Sequence, residues 1–207
     1  MNRPPGVDGM AFTAGDEGDQ RSDMTARSSL SSWLGIPRRW ATVRQVHGVT
    51  ALRAIEPGEL GEGDALWTDV RGLPLAVFTA DCFGVVLQAE SAIGVAHAGW
   101  RGTSGGVVSA LRAEMTAHGH PPTRAAIGPG IGPCCFEVGV EVEERFPLDI
   151  AETTWGTRSV DLVSSLRRQL EGVEVWVSGA CTSHDPGLYS HRRTRTMLRH
   201  ASIGWIP

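Results

Sequence analysis

Short apolar runs separated by glycine, proline and polar residues dominate the middle of the chain. Runs with the length and composition of buried strands occupy 73–79 (LPLAVFT), 84–88 (GVVLQ) and 93–98 (IGVAHA). Residues 173–178 (VEVWVS) alternate apolar and polar positions, as a half-buried strand does. Shorter pieces typical of strands lie at 10–13, 40–55 (two pieces around a bend), 66–68, 124–127 and 202–206.

Three segments carry the spacing of helices. After the third buried run, apolar residues recur at helical spacing from 107 to 115, with Thr103 or Ser104 as the expected N-cap. Further helices are predicted at 138–146 and 161–170. Because strands outnumber helices and mostly run in groups, the pattern favours an α+β arrangement with a sheet core flanked by helices.

The size and composition are those of an ordinary globular protein. The chain has 207 residues, 41% apolar and 20% charged, enough to bury a core without disulfides. Residues 1–28 are polar and glycine-rich, so we expect a weakly structured N-terminus followed by one domain over 29–207. Because the sequence has neither a long apolar stretch nor the apolar core of a signal peptide, we expect a cytoplasmic protein.

The charged residues narrow the choice of partners. The formal net charge is −4, which argues against a broad surface for nucleic acid or anionic membrane. All 19 basic residues are arginines. A bound phosphate would therefore have to be held by arginine or by backbone N–H groups rather than by lysine.

His47, Cys82 and His97 are the candidates for a metal site. Each lies at the end of a predicted strand or beside a glycine, in QVHG, TADC and VAHAGWRG. Imidazole and thiolate suit Zn²⁺, and three protein ligands leave one position for water or substrate, as in catalytic zinc sites. The spacing matches no compact zinc finger, so unrelated histidine and cysteine residues remain the alternative interpretation.

Other reactive residues lie close to these motifs. Asp81 is a candidate for proton transfer or, alternatively, a cap for its own turn. Arg101 precedes the predicted helix and could bind an oxyanion, or could simply cover Trp100 at the surface. Cys134 and Cys135 could be additional soft ligands, although buried thiols are the favoured interpretation.

The segment CTSHDPGLYSHRRT, residues 181–194, is too polar for a core segment and too short for a disordered tail. It is interpreted as a loop that lines a site, with Arg192 or Arg193 reaching an anion. A solvated basic surface explains the same residues equally well.

Six motifs together resemble a known family. QVHG, DALWT, LPLAVFTADC, GVAHAGWRGT, AIGPGIGPCCFEVG and CTSHDPGLYSHRRT occur in the order found in the YfiH/DUF152 family, also called the multicopper polyphenol oxidase (laccase) domain family. The resemblance runs from about residue 40 to the C-terminus. It implies an α/β sandwich of mixed sheets flanked by helices, similar to the cytotoxic necrotizing factor fold. It also implies a zinc site formed by His47, Cys82 and His97.

The same resemblance implies a zinc-dependent purine nucleoside enzyme. The implied reactions are phosphorolysis of adenosine, inosine and methylthioadenosine, deamination of adenosine, or both. Asp81 is then the expected proton carrier, and Arg101, or as second choice Arg193, would neutralise phosphate. Gln45 and Trp100 are expected to contact the nucleoside. The expected partners are the nucleoside and phosphate, with no nucleic acid or membrane, and the chain would be a monomer or a homodimer.

Three other functions remain open. The first is a copper-dependent polyphenol oxidase with Cu²⁺ in place of zinc. The second is a metal-free hydrolase or amidase acting in peptidoglycan precursor editing, with Cys82 as nucleophile and His97 as base. The third is a binding module whose structural zinc takes a fourth ligand from Cys134, Cys135 or Cys181.

Overall fold

The structure, a computed structural model, describes residues 1–207. Its strands are β1 (Met10–Phe12), β2 (Ala41–Arg44), β3 (Ala51–Arg53), β4 (Gly58–Glu62), β5 (Ala65–Thr68), β6 (Leu75–Thr79), β7 (Phe83–Gln88), β8 (Ile93–Ala98), β9 (Arg124–Ile127), β10 (Ile150–Glu152), β11 (Arg158–Val160), β12 (Glu174–Val177) and β13 (His200–Gly204). Its helices are α1 (Met24–Leu34), α2 (Trp100–Gly105), α3 (Val107–Ala117), α4 (Val140–Glu143), α5 (Leu162–Gln169) and α6 (His191–Thr194). None of these helices combines the length and the apolar character needed to cross a membrane.

Two large mixed sheets organise the chain. One has six strands in the order β12-β9-β7-β8-β5-β3, and the other has five in the order β1-β13-β6-β2-β4. In the first, β7 runs antiparallel to both β8 and β9, while β12 is parallel to β9. In the second, β13 runs antiparallel to β1 and β6, while β2 is parallel to β4. Strands β10 and β11 form a separate antiparallel pair.

The two large sheets pack face to face. Their shared core joins Phe12 and Leu75 of the five-stranded sheet to Val86 and Val95 of the six-stranded sheet. The sheets approach so closely that a Cβ atom on Gly84 would overlap the side chain of Ser202. Burial of apolar side chains between two sheets, at roughly 25 cal/mol per Å² of apolar surface, is the main stabilising contribution expected for such a sandwich.

Helices cover the outer faces of both sheets. On the six-stranded sheet, α3 and α5 bury Leu111, Met115 and Leu166 in the core cluster that contains Trp67. On the five-stranded sheet, Leu30 of α1 lies in a smaller cluster. The layers are therefore helix, sheet, sheet and helix, which confirms the predicted fold class.

The N-terminal segment differs from the expectation of a weakly structured end. Strand β1 pairs with β13 and is fully buried, and α1 begins at Met24 with its first N–H groups bonded to the Asp23 carboxylate. The Asp19 carboxylate accepts the backbone N–H of Arg199, which holds this segment against the C-terminal part of the chain. The strand expected at 10–13 is thus present as β1, and the residues that pair with it lie 190 to 194 positions further along the chain.

The predicted helix after β8 is split in two. Gly106 adopts φ +86° between α2 and α3, a left-handed conformation that ends one helix and starts the next. The expected caps Thr103 and Ser104 lie inside α2, and the Gln169 side chain accepts the first N–H groups of α3 instead. Helix α4 is also shorter than the predicted 138–146.

Candidate functional site

Three potential ligands from separate parts of the chain converge at one place. His47 lies in the turn between β2 and β3, Cys82 directly precedes β7, and His97 lies on β8. The cysteine sulfur and one nitrogen of each histidine lie within 4.8 Å of one another. The two imidazole rings meet edge to face with their centroids 4.8 Å apart. The structure thus brings together the three residues that the sequence analysis selects as ligands.

The local backbone explains this convergence. Antiparallel pairing of β7 with β8 sets Phe83 opposite Ala98, so that Cys82 comes next to Gly99. A Cβ atom on Gly99 would lie only 2.9 Å from the Cys82 sulfur and 3.1 Å from Cδ2 of His47. Glycine is therefore required at this position if all three side chains are to share one space. His47 itself adopts φ +62°, a left-handed conformation, so the backbone changes direction here after β2.

A buried carboxylate holds two of the three ligands in place. Asp64 is fully buried, and its Oδ1 lies 2.7 Å from Nδ1 of His97. The same carboxylate accepts the backbone N–H groups of Val46, His47 and Gly48 at 3.1, 2.9 and 2.6 Å. Because the Asp64 carboxylate accepts a hydrogen bond from the Nδ1–H group of His97, the Nε2 atom of His97 faces Cys82. The one carboxylate thus fixes both the orientation of His97 and the turn that carries His47.

The electrostatics favour a thiolate at Cys82. Burial works to raise the pKa of Cys82, but His47 and His97 outweigh it and lower the pKa to about 6. Burial works to lower the pKa of His97, but Asp64 and Cys82 raise it to about 9. Burial also works to raise the pKa of Asp64, while the His97 and turn hydrogen bonds hold it below its ordinary value. The thiolate is the form in which cysteine binds metals and attacks electrophiles.

These residues line a cavity of about 450 Å³. Its wall combines the three potential ligands with the apolar side chains Phe78, Ala80, Ile131 and Phe136 and with polar or charged side chains Arg21, Gln45, Thr79, Asp81, His191, Arg192, Arg195 and Arg199. A concave wall that combines apolar side chains with convergent polar and charged groups is typical of a small-molecule site.

Four of these side chains are arginines, and only one lining residue is acidic. None of Arg21, Arg192, Arg195 and Arg199 forms a salt bridge with a carboxylate, although the chain has several such pairs elsewhere. Burial and the neighbouring Arg21 lower the pKa of Arg199, which reflects the crowding of positive charge. The cavity therefore offers unpaired guanidinium groups to an anion.

Asp81 lines the cavity beside Cys82 because of a sharp turn. Its φ of +85° breaks the alternation that would otherwise point the two side chains to opposite faces. Its Oδ1 accepts the hydroxyl of Thr182 at 2.7 Å, and its Oδ2 accepts the backbone N–H of Arg192 at 2.6 Å. Asp81 thus joins the start of β7 to the segment that carries Arg192, Arg195 and Arg199.

The other residues proposed from the sequence lie elsewhere or are already engaged. Arg101 is exposed and covers the Trp100 ring at 4.2 Å, and neither residue lines the cavity. Arg193 also lies outside it, since its guanidinium donates to the backbone oxygens of Thr182, Ser183, Asp185 and Leu188. Its role in the structure is to fold the loop that precedes it.

Gln45 lines the cavity, and each of its two amide atoms makes one hydrogen bond to the backbone. Its Oε1 accepts the N–H of Phe78 at 2.8 Å and its Nε2 donates to the Phe78 carbonyl at 2.9 Å. These two bonds continue the pairing of β2 with β6 beyond its last ladder pair. Gln45 therefore anchors the beginning of the turn that carries His47.

Sequence reasoning missed Asp64 and the arginines Arg21, Arg195 and Arg199. The sequence holds one indication of the role of Asp64, because this residue directly precedes the strand in DALWT. A charged residue is unusual beside a buried strand unless a partner pairs with its charge. The arginines come from both ends of the chain, and nothing in their spacing shows that they meet.

A family model described as "Multi-copper polyphenol oxidoreductase laccase" matches residues 7–207. "Purine nucleoside phosphorylase YlmD" of Geobacillus stearothermophilus is 36% identical, over 86% of this chain and 76% of the relative. A "Purine nucleoside phosphorylase" of Deinococcus radiodurans is 39% identical, over 84% of this chain and 73% of the relative.

Solved structures show the same fold. The crystal structure of YlmD from Geobacillus stearothermophilus superposes with a TM-score of 0.85 at 30% identity, covering 99% of this chain and 94% of that one. The Bacillus licheniformis hypothetical protein YfiH gives a TM-score of 0.85 at 24% identity, covering 95% and 92%.

Proposed function

This chain belongs to the YfiH/DUF152 family, whose model is described as multi-copper polyphenol oxidoreductase laccase, and on that premise we propose that it is a purine nucleoside phosphorylase. Several relatives that match most of its length carry that name. The observation that carries the proposal is one cavity in which unpaired arginines lie beside the group of His47, Cys82 and His97. Its substrates are a purine nucleoside, such as adenosine, inosine or methylthioadenosine, and inorganic phosphate.

Phosphate is assigned to the arginines that line the cavity. Arg21 and Arg195 make no hydrogen bond through their guanidinium groups to the rest of the chain, and Arg199 uses only Nη1, toward two backbone carbonyls. Guanidinium groups bind phosphate oxygens through paired N–H donors. This assignment replaces Arg101, which packs on Trp100 and does not line the cavity, and Arg193, whose guanidinium donates to backbone carbonyls.

The purine and ribose are assigned to the apolar part of the wall. Phe136 lies there with the Arg192 guanidinium 5.5 Å from its ring centroid, and Ile131 and Phe78 complete the apolar surface. A flat purine can stack on such a surface while its ribose lies toward the arginines. Holding C1′ of the ribose against a phosphate oxygen is the main task of the site, because positioning alone can supply several kcal/mol of a barrier.

In the proposed reaction an oxygen of hydrogen phosphate attacks C1′ and the bond from C1′ to the purine nitrogen breaks. The proton of the attacking phosphate ends on the departing purine. Asp81 is the one carboxylate that lines the cavity, and we assign to it the relay of that proton. Its hydrogen bonds to Thr182 and Arg192 leave each oxygen with a further lone pair for this task.

The residues His47, Cys82 and His97 fit a resident Zn²⁺ ion. The fit rests on the donor set, on the thiolate favoured at Cys82, and on Asp64, which presents the Nε2 atom of His97 to the group. A bound Zn²⁺ would supply positive charge that polarises a nearby oxygen or nitrogen of the substrate. Cu²⁺ binds the same donor types, and metal analysis distinguishes the two.

Hydrolytic deamination of adenosine is the second candidate. It is favoured by the number of protein ligands, since catalytic zinc sites that activate water have three. It differs from phosphorolysis in needing no phosphate, and it would leave the four arginines without a task.

Copper-dependent oxidation of polyphenols is less well supported by the side chains. Such an oxidase needs several coppers, and the structure gathers one histidine-containing group of ligands. His118 and His120 lie against Trp67 with ring centroids 4.9 and 5.9 Å away, and the exposed His184 joins no such group.

The test is product analysis of purified protein with adenosine or inosine, with and without phosphate. Phosphorolysis predicts adenine or hypoxanthine only when phosphate is present, and none in a His97→Ala control. Conversion of adenosine to inosine at an equal rate without phosphate would favour deamination. No product above the control with either nucleoside would contradict both reactions.

A further inference from the structure

Three cysteines form a second group outside the cavity. Cys134 and Cys135 lie on the loop after β9, and Cys181 lies on the loop after β12. Their three sulfur atoms lie within 4.8 Å of one another, with the sulfurs of Cys134 and Cys135 3.5 Å apart. All are free thiols, and none lines the cavity described above. The proposed phosphorylase reaction gives this group no task.

The backbone holds the two loops together. The N–H of Gly130 donates to the carbonyl of Ala180 at 3.3 Å, and the N–H of Thr182 donates to the carbonyl of Gly130 at 3.0 Å. The N–H of Thr154 donates to the carbonyl of Cys134 at 2.9 Å. The sulfurs therefore approach one another because the loops are fixed, not because long side chains happen to meet.

One backbone donor points at a sulfur atom. The N–H of Gly132 lies 3.3 Å from the sulfur of Cys181. A Cβ atom on Gly132 would lie 3.5 Å from the sulfur of Cys134 and 3.7 Å from that of Cys181. An N–H donor aimed at sulfur stabilises the thiolate, as the groups around metal-bound thiolates do.

The chemistry of the group selects the ligand. Three thiols at this separation cannot all ionise unless a positive charge lies between them. The group offers sulfur alone, with no imidazole or carboxylate. Sulfur ligands select soft cations such as Cu⁺ and Zn²⁺ and discriminate against Mg²⁺, Ca²⁺ and Mn²⁺. We propose that Cys134, Cys135 and Cys181 form a second metal site that binds one soft d¹⁰ cation through three thiolates.

The position of this site gives it a consequence for the cavity. Cys134 and Cys135 lie between Ile131 and Phe136 in the chain, and both of those side chains line the cavity. A cation bound to all three sulfurs would tie this loop to the segment that begins at Cys181. The second site would then stiffen the apolar wall of the cavity without contacting the substrate.

The chain allows a direct test because it has only four cysteines. In a Cys82→Ser protein every remaining thiol belongs to the proposed site. Titration of this reduced protein with Cd²⁺, a soft d¹⁰ probe, is followed by the ultraviolet charge-transfer band of thiolate bound to metal. We expect the band to reach its end point at one Cd²⁺ per chain, with the intensity of three thiolates and loss of all three thiols from titration with a thiol reagent.

Two further variants locate the site. Adding Cys181→Ser or Cys134→Ser to the Cys82→Ser protein is expected to reduce the band to two thiolates and weaken Cd²⁺ binding at least tenfold, with circular dichroism confirming the fold. Adding Ser109→Ala, at an exposed position on α3, serves as the matched control and should change nothing. No band at one equivalent of Cd²⁺, or a band of only one or two thiolates in the Cys82→Ser protein, would overturn the proposal. So would a disulfide between Cys134 and Cys135 that persists in reductant.

Discussion

The Asp64 carboxylate lies 2.7 Å from Nδ1 of His97 and also accepts the N–H of His47. One buried side chain thereby links two histidines that are 50 residues apart in the chain. The link joins the start of β5 to the end of β8 and to the turn after β2. The geometry of the candidate metal centre thus depends on a residue that is not itself one of its three ligands.

Replacing Asp64 with asparagine should weaken metal binding without abolishing the fold. The asparagine side chain would still fit the space, but its amide cannot accept all of the N–H groups that the carboxylate accepts, and it carries no charge to balance His97. Loss of such an outer partner typically costs about ten- to a hundredfold in metal affinity. Metal content after dialysis against a chelator series measures the change.

The matched control for that substitution is Asp69→Asn. Asp69 pairs with Arg53 at the surface, where ion pairs contribute about 0–1 kcal/mol. Metal retention in this control should equal that of the wild type. Equal retention in the Asp64→Asn protein would show that the carboxylate does not position the ligands.

Replacing Gly99 with alanine should separate the three ligands. The added methyl group would lie 2.9 Å from the Cys82 sulfur and 3.1 Å from the His47 ring. Because Gly99 has φ −75°, alanine causes no backbone strain, and the effect should be confined to the site. We expect at least a tenfold loss of metal affinity with a melting temperature close to that of the wild type.

Gly187→Ala is the control for the effect of a methyl group. Gly187 lies in an exposed loop, and its new methyl group would meet only the flexible carboxylate of Asp185 at 3.2 Å. Its metal affinity should stay unchanged. The steric account of Gly99 is wrong if both variants retain metal equally well.

Removing an unpaired arginine from the cavity should affect phosphate more than nucleoside. Charged hydrogen bonds contribute about 1.5–3 kcal/mol, so Arg195→Ala should raise the KM for phosphate about ten- to a hundredfold. The KM for inosine should change less than threefold. Steady-state kinetics with each substrate varied in turn provides both values.

Arg101→Ala tests the competing assignment made from the sequence. Arg101 is exposed and packs on Trp100 outside the cavity, so its loss should leave the KM for phosphate within twofold of the wild type. If the KM for phosphate rises more in Arg101→Ala than in Arg195→Ala, the phosphate site lies at the first turn of α2 instead.

His200 should make the protein less stable at mildly acidic pH. Its Nε2 accepts the backbone N–H of Tyr189, and burial lowers the pKa of His200 to about 4. The unfolded chain, with an ordinary histidine pKa near 6.5, binds more protons between pH 6.5 and 4. The contribution of His200 to the free energy of unfolding is therefore fully present above pH 6.5. It falls by about 3 kcal/mol between pH 6.5 and 4 and does not change further below pH 4.

Comparison of urea denaturation for the wild type and His200→Gln isolates this contribution. Glutamine keeps an acceptor for the Tyr189 N–H but does not titrate, so the variant should lose less stability between pH 6.5 and 4. His118→Gln, at an exposed position on the surface, is the control and should keep the slope of the wild type. Parallel curves for all three proteins would exclude His200 as the source.

The core strands could be predicted because their apolar runs are continuous. Strands β6, β7 and β8 are buried on both faces, so each appears in the sequence as a continuous apolar run. Such a run can be identified without knowing which strand pairs with it. Strand β4, with the sequence GELGE, could not be predicted because it lies at the edge of a sheet and is mostly exposed. Helix α1 could not be predicted either, because its apolar face is weak and only Leu30 and Ser31 are buried.

The candidate site could be predicted only where a motif carries the signal. His47, Cys82 and His97 stand out because glycine, strand ends and reactive side chains coincide there. Asp64 could not be assigned because its partners are His97 and a turn, both distant in sequence. Arg101 is a candidate from the sequence because it precedes a helix, yet its side chain packs on Trp100, a contact that the sequence does not reveal.

The most direct test of the proposed function is phosphorus NMR of the purified, metal-loaded protein with inosine and inorganic phosphate. We expect the phosphate signal to decline as a ribose 1-phosphate signal grows, in step with hypoxanthine release, and His97→Ala to show neither change. Hypoxanthine released as fast without phosphate, or no sugar phosphate after prolonged incubation of the loaded protein, would contradict it.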